Sequence, residues 1–376
     1  MKFRDPFILI GAYLLMLVLV ARCAGIPTTS PATQPVYTGY DFAKFVNAAP
    51  VGGVCQLPAG EFRIADPISG QVKRSVRILS AVDAAGKSLT TITKMPGNWQ
   101  TFVIILYADS ATAENLIVQS AVTTLGAAGK CGISGVYVCG NHNQVVNCQF
   151  RNVDTGIQLH SGASNVGLTG NCAVGSIYGD GIFLNGMEPT GGVVSNVSIN
   201  GGNWTFDKLA REHVSRGSDN NNIPPLIQNV TISNVVCSNA FDGKETLAIR
   251  DASNVTVEKC TFIGPLPVMI GQGIPVPGAA QADCSNVTFA DCTFSGGPIT
   301  LRYCKNVLIQ NAAVYLPANS PYGVMLGASQ NVTIEGLTIY APDPSKVTAP
   351  VFNQGGMAAV ASGVKVLLTP QTKVIP

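Results

Sequence analysis

The chain has 376 residues, a formal net charge of +2 and 40 glycines. Only 12% of its residues are charged, about half the globular average of roughly 25%, while 46% are hydrophobic. This excludes a disordered chain, which is apolar-poor and charge-rich, and leaves no basic footprint for nucleic acid. The length admits one large domain or two average ones.

Lys2 and Arg4 precede an apolar run from Phe7 to Ala21. The run is shorter than the ~20 residues a spanning helix needs, and it fits the core of a secretory signal. Cleavage is expected near Ala21-Arg22-Cys23-Ala24, which makes residues 1–23 a signal peptide. Cys23 is a candidate lipid attachment point, although Arg22 stands where lipoprotein signals carry a small residue. Residues 24–39 are rich in Pro, Thr and Ser and read as a tether. They lead into a body over 40–370 and a tail over 371–376. Export to the medium, periplasm or cell surface is expected, with membrane contact only through the signal or a lipid on Cys23.

Asp41 to Ala49 reads as a short helix with Phe42, Phe45 and Val46 on one face. Next comes Leu57-Pro58-Ala59-Gly60-Glu61-Phe62. This run resembles the opening of pectate-lyase-superfamily domains, where a short helix caps the end of a solenoid. Ser75 to Leu79 and Asn115 to Val118 resemble that family's first coils. The resemblance covers roughly Tyr40 to Pro370. It implies a right-handed parallel β-helix and no single activity, because the family includes lyases, hydrolases, epimerases and inert adhesins.

An internal repeat leads to the same architecture independently. Ser253-Asn254-Val255-Thr256-Val257 returns at Gln228-Asn229, Ser285-Asn286 and Gln330-Asn331. Looser copies begin at Asn115, Asn165, Asn196 and Asn306, with one around Asn143, at intervals of 20 to 33 residues. Each Asn opens an alternating apolar strand. A second alternating strand precedes most copies, for example Gly156 to His160, Gly181 to Asn185, Thr246 to Arg250 and Ile299 to Arg302. Units this short bury an inner face only by stacking. The expectation is an all-β, single-stranded parallel β-helix of about ten coils, with the Asn residues in left-handed turns.

Of the 11 cysteines, Cys148, Cys260 and Cys292 each sit in a Cys-x-Phe step, as small apolar core residues. There is no CxxC pair and there are three His, which disfavours zinc. Cys284 and Cys304 both lie two residues before an anchoring Asn, so they should stack on adjacent coils, as neighbours more than as a disulfide.

The outward side chains of the second strand form a candidate sugar lane. In order it runs His160, Asn185, Arg250, Gly271, Arg302 and Gly327. Phe183 flanks it, and Asp180 and Glu245 stand at matching strand entrances. Rings stack on sugars and guanidinium forks pair with carboxylates, which points to an acidic polysaccharide. His142, in Asn141-His142-Asn143, reads as a turn residue. The insertion Trp204 to Pro225 is a candidate overhang of this lane.

Glu245 and Arg250 also resemble the Glu-then-Lys strand of alginate and chondroitin lyases of this fold. There the Glu binds calcium and the Lys five residues on takes a proton. Here Arg250 stands in place of the Lys, and Arg302-Tyr303 in place of an Arg-His pair. The resemblance implies catalytic roles for Arg250 and Glu245 and calcium as the one cofactor to consider. Substrate contacts then fall to His160, Asn185, Arg302, Phe183 and Asp180. Tyr178-Gly179-Asp180 also echoes one polygalacturonase motif, without that family's Asp-Asp or Gly-His-Gly. Three readings follow: a uronate-polysaccharide lyase, a non-catalytic surface or adhesive β-helix, and a glycoside hydrolase. No phosphate-cradling loop is present. A monomer is expected. Six Asn-x-Ser/Thr sequons occur, five of them at the repeat's own Asn, where the turn explains them.

Overall fold

The computed structural model describes residues 34–66, 68–96, 102–122, 132–173, 179–185, 192–206, 214–215, 227–239, 245–271, 284–354 and 359–369. The signal run, Cys23, most of the insertion and the tail over 371–376 lie outside them. No helix of the described residues is long and apolar enough to cross a membrane.

The strands pair in parallel and build three faces of one stack. The asparagine face is a twelve-stranded sheet running from Val54–Gln56 to Ala359–Ser362. The described residues therefore make twelve coils on this face rather than about ten. The coils at Val54–Gln56, Arg77–Leu79 and Ala359–Ser362 carry no asparagine anchor to count. The lane face comprises a six-stranded sheet from Gln71–Val72 to Val214–Ser215, then a five-stranded sheet from Glu245–Ile249 to Val351–Asn353. The third face likewise has six and seven strands. Its first strand is Val36–Thr38, at the end of the stretch read as a tether, which pairs with Gly60–Ile64.

One helix, α1 (Gly39–Ala48), closes the N-terminal end. Thr38 caps it, and Asp41 returns the bond to the Thr38 backbone N–H at 2.8 Å. Phe42 and Val46 are buried under it, while Phe45 stays 37% exposed with its ring edge toward Phe62.

Inward positions stack like on like. Trp204, Cys237, Phe262, Phe294, Val314 and Ile339 hold one column in register. Phe262 and Phe294 stack at 5.9 Å. Trp204 is a fully buried core residue of the strand Asn203–Phe206, not the start of an overhanging loop. Its ring stacks on Phe150 at 5.7 Å because the coil between them offers only Ala173 in that column.

At two corners of the coil, asparagines recur in the left-handed conformation. The first carries Asn165, Asn196, Asn229, Asn254, Asn286, Asn306 and Asn331, with φ of 52–58° in the described stack. Each side-chain amide from Asn196 onward donates to the carbonyl of the previous Asn, as in Asn286 Nδ2 to Asn254 Oδ1 at 2.9 Å. That ladder accounts for five of the six sequons; the sixth, Asn203, opens a strand of the third face. Asn115 and Asn143 do not belong to this column. Registered against Gly167, Gln144 follows His142 and Asn143, so His142 (φ 58°) holds the ladder position and acts as a turn residue. Asn115 occupies the second left-handed corner, with Asn147, Asn234 and Asn311. Both corners demand αL, so Asn alone does not say which one a position occupies.

Cys284 and Cys304 are register partners, as the spacing predicts, and no disulfide joins them. Their Sγ atoms point to carbonyl oxygens of the preceding coil, at 3.1 Å for Ile249 and 3.4 Å for Ile270. Burial pushes the Cys148 thiol up to about 12, so it packs as a neutral, apolar side chain.

Candidate functional site

The lane face alternates as a strand must. Ile157, Leu159, Leu247, Ile249, Leu301 and Leu326 point into the core, and the residues between them point out. The register aligns the columns: Leu159 pairs with Leu184, and Ile249, Ile270, Leu301 and Leu326 follow one another. His160 and Asn185 are therefore neighbours on adjacent coils. Arg250, Gly271, Arg302 and Gly327 follow one another, with Arg302 and Gly327 paired directly.

The coil of Val214–Ser215 separates these two groups, pairing with Ile182–Phe183. The N-terminal group is aromatic. Phe102 and Tyr137 stack at 4.0 Å, and the His160 ring meets Tyr137 edge-on at 5.6 Å. His160 Nδ1 lies 2.6 Å from the Ser161 carbonyl. A carbonyl only accepts, so Nδ1 donates there and the neutral ring carries its lone pair on Nε2. Asn185 is nearly buried, held by its backbone N–H to Leu159 and by Ser161 Oγ on its carbonyl at 3.2 Å. Phe183 is half-buried beside Gln158. Asp180 stands at the strand entrance, its carbonyl accepting from the Gly156 N–H at 3.0 Å.

The C-terminal group is ionic. Arg250 Nη2 donates to Glu245 Oε1 at 3.2 Å, with the side chains only 14% and 10% exposed. The guanidinium reaches back along its own strand toward the entrance, and Ala248, the outward residue between the two, is fully buried. Gly271 adopts φ +80°, and a Cβ there would collide with the Arg302 carbonyl. The Arg302 stem lies against Gly327 on the next coil. Two coil rises separate Arg250 and Arg302, about 10 Å between Cα atoms.

The structure thus unites Glu245 with Arg250, aligns Arg302 in their lane, and sets His160, Asn185, Phe183 and Asp180 apart on the earlier coils. Phe102, the ring beneath Tyr137, is the lane residue that sequence reasoning missed. It stands at the very start of its strand, outside the alternating pattern that marks the others. A calcium ion takes roughly six to eight oxygen ligands. Glu245 offers one carboxylate, already bound to a guanidinium, so this pair does not fit such a site. Among the described residues no three His, Cys, Asp or Glu side chains are grouped to hold a metal ion.

The family model described as "Right handed beta helix region" matches residues 213–356. No curated protein matches the chain. Among solved structures, the Dettilon tailspike protein superposes with a TM-score of 0.58 at 11% identity, covering 87% of this chain and 64% of that one. The Streptococcus pneumoniae surface protein and adhesin PfbA gives 0.53 at 9% identity, over 88% of this chain and 93% of that one. An alginate lyase from Paenibacillus sp. str. FPU-7 gives 0.47 at 13% identity, over 88% and 97%. Parallel pairing on three faces, the match to the β-helix model and the tailspike and adhesin superpositions agree: the chain has a right-handed parallel β-helix fold.

Proposed function

We propose that this exported β-helix binds an acidic polysaccharide along the lane face and acts on it there. The observation that supports this reading is the alternation Arg250, Gly271, Arg302, Gly327 on four successive coils. Cations recur every second coil, about 10 Å apart, with a glycine on the coil after each. Carboxylates of one chain can then reach both guanidinium groups, each a fork suited to bidentate pairing. His160 Nε2 and the Phe102–Tyr137 stack extend the lane toward the N-terminal end with a hydroxyl acceptor and an aromatic platform.

The lyase chemistry requires four events. A cation neutralises the uronate carboxylate, and a base takes the C5 proton. The C5 electron pair forms the C4–C5 double bond as the C4–O bond breaks, and the departing oxygen gains a proton. A guanidinium is a permanent cation in water, so Arg250 and Arg302 suit the neutralising role. Glu245 fixes the direction of Arg250. A second reading, binding without turnover, is favoured by that same contact, because it engages the carboxylate nearest to Arg250.

A panel of acidic polysaccharides, read for binding, new reducing ends and ultraviolet-absorbing unsaturated product, separates the readings. Unsaturated product means lyase, reducing ends alone mean hydrolase, and binding alone means an adhesive module. Arg250→Ala with Arg302→Ala should abolish binding of the acidic chain, and Arg302→Ala alone should weaken it most at low salt, where screening is least. Unchanged binding and turnover in the double variant would remove this face from consideration.

A further inference from the structure

The C-terminal coil differs from every coil before it. Its three strands are Val351–Asn353, Ala359–Ser362 and Lys365–Leu368. Each ends its sheet, and among the described residues none pairs on its outer edge. Ala359, Ala361 and Val366 continue the inward columns of Val332, Ile334 and Ile339, which are buried to 1% or less. In the last coil Ala359 and Ala361 are exposed and Val366 only half-buried. Leu368 is 59% exposed.

The outward positions are apolar as well. Phe352 follows Met325, Val360 follows Thr333 and Leu367 follows Tyr340, one on each face. Val360 is 65% exposed. Lys365 is the one charged side chain in the three strands. Proteins normally defend a free sheet edge with charge, Pro or a bulge. Here the strands carry one lysine and no Pro.

We propose that this coil is a homodimerisation edge, paired antiparallel with the same edge of a second copy of the chain. A two-fold axis perpendicular to the solenoid reverses the direction of every strand. With the axis through the asparagine face, Ala359–Ser362 meets its own copy, and Val351–Asn353 meets the strand equivalent to Lys365–Leu368. Val360 then lies beside the partner subunit's Val360, and Phe352 beside the partner subunit's Leu367. Each exposed outward apolar side chain gains an apolar cross-strand neighbour, and the exposed inward residues close against each other. The contact is isologous and α1 covers the opposite end, so assembly stops at two. This departs from the monomer expected from sequence and is independent of the polysaccharide reading.

Sedimentation of the full chain between about 1 µM and about 100 µM, the range of moderate interfaces, is the first test. A dimer is expected, converted to monomer by Val360→Asp with Leu367→Asp at an unchanged far-ultraviolet circular dichroism spectrum, with a Tm lowered to that of the dilute unsubstituted monomer. Val360→Cys, treated with copper–phenanthroline, should give a disulfide-linked dimer, whereas Thr333→Cys, one coil inward, and the unsubstituted chain should not. A monomer throughout the range overturns the proposal. So does a dimer that survives the double Asp substitution, or cross-linking through Thr333→Cys as efficient as through Val360→Cys. A monomer whose Val360→Cys thiol resists reagent also overturns it, by showing that the chain covers its own end.

Discussion

The two ends of the stack solve the same problem in opposite ways. At the N-terminal end the first coils would expose their inner face, and α1 lies across it. Phe42 and Val46 go to full burial, and Phe62 is enclosed by three rings, with Tyr37 stacked at 4.6 Å and Phe42 and Phe45 at 6.0 Å. At the C-terminal end the equivalent inward residues reach the last coil and stay in solvent. A solenoid gains stability from nearest-neighbour contacts, so a coil with a neighbour on one side contributes about half the interface of an interior one. The end of a β-helix is therefore where a cap or a partner does the most.

Four measurements sharpen or break this contrast. The largest effect should come from Phe62→Ala, which empties a site under the cap. A loss of about 3–5 kcal/mol in urea unfolding is expected for a fully buried Phe. A loss under about 1 kcal/mol would show that the capped end is loosely packed. Next, Asn286→Ala should cost about 2 kcal/mol, because it places a Cβ in αL without the amide that repays it. It also removes two ladder bonds, to Asn254 and from Asn306. Asn331→Ala loses only the bond to Asn306, so it should cost about 1 kcal/mol less. Equal losses at the two positions would mean that the ladder bonds contribute nothing.

Third, Thr38→Ala removes the cap of α1 and should cost about 1 kcal/mol. The same change has a pH signature. The Thr38 hydroxyl and backbone N–H hold the Asp41 carboxyl below its usual range. A carboxyl lowered in the folded state contributes stability above its unfolded pKa and loses it as pH falls through the folded one. The unsubstituted chain should therefore lose stability more steeply on acidification than Thr38→Ala. Parallel acid limbs would show that Asp41 does not report on the cap. The smallest effect is expected at the open end, where Leu368→Ala should shift monomer stability by no more than about 0.5 kcal/mol. A loss near that of Phe62→Ala would mean that this end is covered in the isolated chain.

Much of the architecture is local and could be read from the residues. The period-2 strands, the αL asparagines and the second strand before each of them repeat often enough to fix coils and their register. This is why the lane from His160 to Gly327 and the pairing of Cys284 with Cys304 follow from spacing. A repeat pattern gives the column a side chain belongs to and the face it points from, because both follow from backbone periodicity.

What the pattern leaves undetermined is everything that depends on which atoms lie opposite. Asn115 and Asn165 look alike in sequence, yet they sit at different corners, since both corners need the same φ and only the stacked neighbours tell them apart. Trp204 reads as the start of a charged insertion, but its indole is fully buried in the core and stacks on Phe150 past the small Ala173. Arg250 reads as an outward catalytic group, and the tertiary structure turns its guanidinium back onto Glu245. The stack, its columns and its outward lane can be read from the residue pattern, because they follow from backbone geometry repeated coil after coil. The tertiary structure alone decided corner identity, core filling and the direction of Arg250, because these depend on side-chain packing between residues far apart in the chain.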